Sequence, residues 1–121
     1  METNQKLLIL KKGLDFARWL FNHTGKFPKS HRFSVAVRLE NLILEFIEKI
    51  EIANMRQHKI PLLIAADEKL THFKTLFRLS YEMRFIKLQS YEYGAAQSVE
   101  LGRMLGGWIK QQRATASNVK N

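Results

Sequence analysis

The sequence predicts an all-α protein folded as an antiparallel, up-down-up-down four-helix bundle. Apolar side chains recur at three- and four-residue steps through four long segments, which is the spacing of amphipathic helices. Short joints separate these segments, and none has the alternating apolar and polar pattern of a strand. A chain of 121 residues is long enough for one core, so we expect a single domain over residues 1–113 and a flexible polar C-terminal tail over residues 114–121.

The first two helices are predicted over residues 4–22 and 31–57, with a glycine and a proline breaking the pattern between them. The aromatic residues of this region, Phe27 and Phe33, are expected to enter the core rather than to stack on nucleic-acid bases. The second helix has an acidic side, which we interpret as a solvated face because its carboxylates lack the spacing of metal ligands. This side consists of Glu40, Glu45, Glu48 and Glu51.

The third and fourth helices are predicted over residues 61–87 and 90–113. Pro61 suits the first position of a helix, and a wide apolar face follows it as far as Tyr81. Basic side chains line the other side of the third helix. Because neighbouring like charges destabilise a helix slightly, this arrangement indicates an anionic partner, with a simple solubilising surface as the alternative.

The fourth helix contains three glycines within six residues, at positions 102–107. Each should cost about 1 kcal/mol relative to alanine inside a helix. Gly102 and Gly106 are four residues apart and share one face, beside Trp108. We therefore expect them to allow close helix packing, either within the fold or between subunits, and leucine at either position to disrupt it. Trp108 is expected to be a core or interface anchor rather than a base-stacking platform.

Composition narrows the class of partner. The formal charge of +9 and the isoelectric point near 10 favour a polyanion, and nucleic acid above all, with a solvated basic surface as the alternative. The chain has no cysteine, which excludes disulfides and thiolate metal sites. No apolar run has the length of a membrane span, and no signal-peptide pattern begins the sequence, so we expect a cytoplasmic protein.

The sequence does not contain a recognisable catalytic or metal-binding constellation, and we predict that the protein is not an enzyme and uses no cofactor. Its histidines are scattered, and none pairs with another histidine or with a carboxylate at the spacing of helical metal ligands. They are His23, His31, His58 and His72. The glycine-rich stretch of the fourth helix is no dinucleotide fingerprint, because no strand precedes it.

Two motifs carry a family resemblance. KFPK (residues 26–29) precedes the second helix, and LGRMLGGWIK (residues 101–110) lies in the fourth, while aromatic and basic residues alternate at the end of the third. Together they resemble the accessory variability determinant (Avd) of diversity-generating retroelements, over roughly residues 5–113. The chain is more distantly similar to the four-helix-bundle proteins encoded by intervening sequences of large-subunit ribosomal RNA genes.

The Avd resemblance implies a basic bundle that forms a homopentamer and acts without catalysing a reaction. Such proteins bind the retroelement's reverse transcriptase and its template RNA, which the polymerase copies into mutagenic complementary DNA. Resemblance and helical clustering together give the candidate contacts with RNA, DNA or polymerase. These are Lys74, Arg78, Arg84, Lys87, Arg103 and Lys110. For Arg103 we favour a structural role, as partner of a glutamate in the second helix.

Two other functions stay open at this point. One alternative is a stand-alone bundle of the ribosomal intervening-sequence type, and the other is a helical adaptor that holds a protein in an exposed groove. A neighbouring reverse-transcriptase gene with paired template and variable repeats would favour the retroelement protein. A location inside a ribosomal RNA gene would favour the first alternative, and salt-insensitive binding of a protein without RNA affinity would favour the second.

Overall fold

The computed structural model describes the backbone of residues 2–120 and the side chains of residues 6–117. Within that part of the chain it contains four helices and no strand, which confirms the predicted four-helix bundle. The helices are α1 (Glu2–Thr24), α2 (three consecutive helical segments, Lys29–His31, Arg32–Ala36 and Val37–Asn54), α3 (Ile60–Glu82) and α4 (Leu88–Lys120).

Consecutive helices are neighbours in space, and α4 packs on α1, so the four helices form a closed ring around one core. The joints span only a few residues, which forces each helix to run back along the one before it. The bundle is therefore antiparallel and up-down-up-down. This topology brings the α1–α2 and α3–α4 joints to the same end of the molecule and leaves the α2–α3 joint at the other end.

The core is one continuous apolar cluster to which every helix contributes. Aromatic rings fill its middle: Phe16 meets Phe73 edge to face at 5.4 Å between centroids, and Phe73 stacks on Phe77 at 5.2 Å. Such pairs add about 0.5–1.5 kcal/mol each beyond the area they bury. The ring cluster therefore fixes how α1 sits on α3.

A π-helical turn at Arg32–Ala36 begins the long part of α2. Near it, Arg32 donates a hydrogen bond from its guanidinium to the carbonyl oxygen of Gly25 at 3.2 Å, which ties the helix to the preceding joint. Phe27 is buried as predicted, but Phe33 is 87% exposed, so the prediction that it enters the core was wrong. The chain's turn around Phe27 places Phe33 on the outside of α2.

The end of α3 differs from the prediction of a helix as far as residue 87. The helix ends at Glu82, and Arg84 has a φ of 65°, in the left-handed region. The amide of Phe85 donates to the carbonyl of Ser80, and the amide of Arg84 donates to that of Tyr81, both at 2.9 Å. These two bonds are the Schellman motif, which terminates helices. The apolar spacing continued past the real end because residues of the joint also enter the core.

The last helix begins at Leu88 and continues to Lys120, beyond the predicted end at residue 113. The stretch after Arg113 contains neither glycine nor proline, the two strongest helix breakers, so no such signal ends the helix there. Thr115 donates its hydroxyl to the carbonyl of Gln111 at 3.0 Å, in the usual back-bonding arrangement. A flexible tail over residues 114–121 stays a prediction.

No helix in the described part of the chain is both long and apolar enough to cross a membrane.

Candidate nucleic-acid interface

A shallow groove runs between α3 and α4 and contains two of the six candidate cations, Lys74 and Arg78. Their four-residue spacing places both on the same face of α3. The groove has a volume of about 330 Å³. Its lining residues are Lys74, Thr75, Phe77, Arg78, Tyr91, Ala95, Ser98 and Val99.

Gly102 lies where α4 passes the side chain of Lys74. A Cβ atom at this position would be 3.3 Å from the Lys74 Nζ and 3.5 Å from a methyl group of Leu70. The absence of a side chain at Gly102 therefore leaves room for the end of the Lys74 side chain against α4. This close approach is between α3 and α4 of one protomer. Alanine at position 102 would fit after a small shift of the Lys74 side chain.

Gly106 and Gly107 have no such role inside the protomer. Both are exposed, and a Cβ atom at either would meet no atom within 4 Å. The expectation that Gly106 allows close packing within the fold was therefore wrong, because Gly106 itself is exposed to solvent although Gly102 contacts α3. Its role between subunits stays a prediction.

Trp108 belongs to the core. It is only 3% exposed, between α1 and α4, and its indole Nε1 has no hydrogen-bond partner among the described residues. The Lys6 ammonium lies 5.9 Å from the centroid of the ring, within the range of a cation–π interaction. Of the two structural roles predicted for this tryptophan, the protomer therefore uses that of a core anchor.

A second group of candidate cations lies at the end of the bundle where two joints meet. Arg84 and Lys87 line a pocket of about 810 Å³. Sequence reasoning missed two of its residues, His23 and Lys26, which come from the opposite joint. The antiparallel topology was the signal that would have found them, because it places the first and third joints at the same end.

Arg103 lies apart from both groups, beside a small cleft between α1 and α4. Its guanidinium pairs with Glu100 of the same helix through hydrogen bonds of 2.6 and 2.9 Å. These bonds lower the pKa of Glu100 and raise that of Arg103. The predicted partner in the second helix was wrong, because α4 packs on α1 and α3 and lies diagonally across from α2. Lys110 is exposed, two turns further along α4.

The six candidate cations therefore occupy separate surfaces rather than one. Among the others, Arg78 pairs with Glu82 at 3.3 Å on the surface of α3, and the pair is largely exposed. Exposed pairs of this kind contribute little and exchange easily with other partners. The cations of the groove and of the pocket are thus available to an anion, whereas Arg103 already has a bidentate carboxylate partner.

Arg84→Gly is expected to stabilise the protein. Left-handed geometry costs an L-residue about 1–2 kcal/mol, and glycine adopts it freely at this position of a Schellman motif. After allowance for the greater flexibility of glycine in the unfolded chain, we expect the free energy of unfolding to rise by about 1 kcal/mol. Urea titration followed by circular dichroism would measure the change, with Lys87→Gly as a control that lacks left-handed geometry. A loss of stability at Arg84 would show that its side chain holds the joint together.

Within residues 6–117, no three side chains of the types that bind metals come together. These features define a class of protein: a basic four-helix bundle with cations along one interhelical groove and at one end of the bundle.

The family model described as bAvd-like matches residues 7–112, which is most of the chain. The protein therefore belongs to the bAvd-like family, and the resemblance predicted from the sequence is confirmed. The fold is also similar to that of a protein of unknown function from the S23 ribosomal protein family of Bacteroides thetaiotaomicron VPI-5482, with a TM-score of 0.80. The two chains are 19% identical, with 88% of this chain and 98% of the other covered, so the similarity shows a shared fold. A comparison with curated proteins found no match.

Proposed function

We propose that this protein is the non-catalytic accessory protein of a diversity-generating retroelement, acting in the cytoplasm. In this function it is a basic homo-oligomeric scaffold that binds the reverse transcriptase and its template RNA. Membership of the bAvd-like family supports the accessory role and the polymerase partner. The number of subunits, five, follows from the family resemblance.

The α3–α4 groove is the feature that most strongly supports RNA binding. Lys74 and Arg78 lie one helical turn apart beside a floor of small and apolar residues, so a sugar–phosphate chain laid along the groove would meet both cations. Contacts of this kind depend on counterion release and read no sequence. Selection of the template would then come from RNA shape or from the polymerase.

The outside of α1 and α2 supports self-association. It carries exposed apolar side chains in two stripes, a surface that we call the outer face. The outer face consists of Leu7, Leu14 and Phe21 on α1 and of Phe33, Val37 and Leu44 on α2. The two stripes flank the contact between the helices, where the Thr24 hydroxyl donates to the Glu40 carboxylate. A contiguous apolar surface of this kind usually marks an interaction site.

The polar residues beside the outer face favour a second copy of the same chain. Lys11 and Arg18 accompany the α1 stripe, whereas Glu48 and Glu51 accompany the α2 stripe. Arg18 also pairs with Asp15 of its own helix at 3.1 Å, so the α1 half carries a small net positive charge and the α2 half a negative one. In this way α1 of one copy complements α2 of the next in both apolar and charged contacts. Association would also gather several copies of a +9 chain around one RNA.

Replacing both groove cations by glutamine tests the RNA function. Lys74→Gln with Arg78→Gln is expected to weaken binding of single-stranded RNA and to make it less sensitive to salt. The slope of log affinity against log salt should fall by about one for each lost phosphate contact. Fluorescence anisotropy of a labelled RNA at increasing KCl concentrations would measure both quantities.

The matched control is Lys49→Gln with Arg56→Gln, which removes the same charge from α2 and the far joint. If the control weakens RNA binding as much as the groove variant, binding depends on net charge alone and the groove is not the site. If the unsubstituted protein binds no RNA at low salt, and does not co-purify with a reverse transcriptase encoded beside it, the proposed function is wrong.

A further inference from the structure

We propose that the pocket between the two joints binds a nucleoside phosphate, with its cations on the phosphate and its aromatic side against the nucleoside. The pocket receives His23 and Lys26 from the α1–α2 side and Tyr81, Arg84, Phe85 and Lys87 from the α3–α4 side. Its volume of about 810 Å³ lies within the usual range for small-ligand pockets, roughly 300–1,000 Å³. The choice of a nucleoside phosphate over another phosphorylated ligand rests on the proposed function.

Three cations of the pocket have no carboxylate partner within residues 6–117: Lys26, Arg84 and Lys87. The pocket's carboxylate, Glu82, already pairs with Arg78. Three like charges around one concavity repel one another unless an anion lies between them. A phosphate would relieve this repulsion and accept charge-assisted hydrogen bonds from all three side chains.

The backbone conformation of Arg84 is a second observation that points to a ligand. This residue occupies the position of the Schellman motif where glycine is the usual residue, with a φ of 65°. Strained residues of this kind cluster at active sites and ligand-binding sites. The left-handed turn lies at the pocket, and Arg84 lines its wall together with Lys87 and Tyr81.

The remaining wall is aromatic and offers polar edges. Tyr81 stacks on Tyr91 at 4.7 Å, and Phe85 is stacked on His31 at the same distance, so these rings are held in place. The Nδ1 atom of His23 is 2.9 Å from the carbonyl oxygen of Trp19 and must donate to it. The Nε2 atom of His23 is then left for a ligand. A nucleobase, which is a flat ring with polar edges, would pack against such a wall and hydrogen-bond to it.

Trp19 provides a direct readout, because its ring stacks on His23 with 4.1 Å between centroids. The full-length protein with Trp108→Phe retains Trp19 as its only tryptophan, and Trp108 lies far from the pocket. Titration with adenosine 5′-monophosphate is expected to change Trp19 fluorescence in a saturable way. Adenosine and inorganic phosphate, which each lack half of the ligand, should bind much more weakly.

Two variants distinguish a binding role from a structural one. Lys26→Gln should weaken nucleotide binding about tenfold, as expected for the loss of one charge-assisted hydrogen bond. Arg84→Gly should weaken it similarly while the melting temperature rises. A merely structural arginine would not move affinity and stability in opposite directions. Lys74→Gln alone should leave nucleotide binding unchanged, because Lys74 does not line this pocket.

RNA distinguishes the source of the ligand. If the pocket takes an RNA end, a 5′-phosphorylated oligonucleotide should displace the nucleotide and its 5′-hydroxyl counterpart should not; if it takes a free nucleotide, neither should displace it. Absence of saturable nucleotide binding, or binding unchanged by Lys26→Gln and Arg84→Gly, overturns the pocket proposal even when the groove binds RNA. Conversely, nucleotide binding by a protein that neither binds RNA nor co-purifies with a reverse transcriptase overturns the proposed function and leaves the pocket intact.

Discussion

Gly94→Ala is expected to destabilise the bundle, although alanine is the better helix former. A Cβ atom at this buried position of α4 would lie 2.6 Å from Cζ and 2.7 Å from Cε2 of Phe77, and 2.8 Å from Cη2 of Trp19. Real Cβ contacts are never so short, so at least one ring must move. Phe77 is fully buried and packs against Phe73 and Tyr91, which leaves it little room.

The size of the effect follows from two opposing terms. Overpacking a core costs about 1–3 kcal/mol, and replacing glycine by alanine in a helix returns up to about 1 kcal/mol. We therefore expect a net loss of about 1–2 kcal/mol in the free energy of unfolding, or roughly 4–8 °C in melting temperature. Differential scanning calorimetry and urea titration would measure it.

Gly106→Ala is the matched control, in the same helix and with the same substitution. Its Cβ atom would meet nothing, so only the gain in helix propensity applies and the protomer should become more stable by up to about 1 kcal/mol. Opposite signs at the two glycines are the expected result. Equal stabilisation at both would show that Phe77 and Trp19 move aside at little cost, and destabilisation at Gly106 would indicate that this face packs against another subunit.

Leu44→Asp is expected to dissociate the assembly. Leu44 lies in the middle of the outer face and is 42% exposed in the single chain. If this face is covered by a second copy, the change removes a leucine contact worth about 1.5–3 kcal/mol and buries a carboxylate in its place. Each contact between copies should weaken by at least about tenfold. Light scattering after size exclusion should then give a mass approaching the 14.2 kDa of one chain.

Leu79→Asp is the control for this experiment. Leu79 is 44% exposed on α3, away from the outer face, so the substitution has the same chemistry and a similar cost within the protomer. Its mass should equal that of the unsubstituted protein. A monomeric unsubstituted protein, or one whose mass neither substitution changes, would rule out the outer face as an interface between copies.

The sequence identified the class of fold because helical periodicity is a local property. Each apolar stripe is repeated over many turns, so no single misplaced residue changes the prediction. The family motifs were likewise readable without coordinates, since KFPK and LGRMLGGWIK are contiguous segments at residues 26–29 and 101–110. The end of α3 was harder to predict, because a left-handed arginine at position 84 gives no signal of the kind that glycine gives.

The role of each glycine could not be predicted, because it depends on what another helix places opposite it. The sequence drew attention to Gly102 and Gly106, which share a face, and gave no reason to single out Gly94. In the bundle, Gly94 faces two aromatic rings, Gly102 faces a lysine ammonium group and a leucine methyl group, and Gly106 faces solvent. Spacing along one helix gives the direction of a residue but not the distance to its neighbour.

The candidate site, too, could be predicted from the sequence only in part. The sequence by itself determined that the protein is an all-helical bundle of the bAvd-like family with an excess of basic residues, because composition and periodicity are properties of the chain. Only the tertiary structure decided which cations act together. It separated Arg103 from Lys74 and brought Lys26 and Arg84, which are 58 positions apart in the chain, to one pocket, because antiparallel packing brings distant joints to the same end of the bundle.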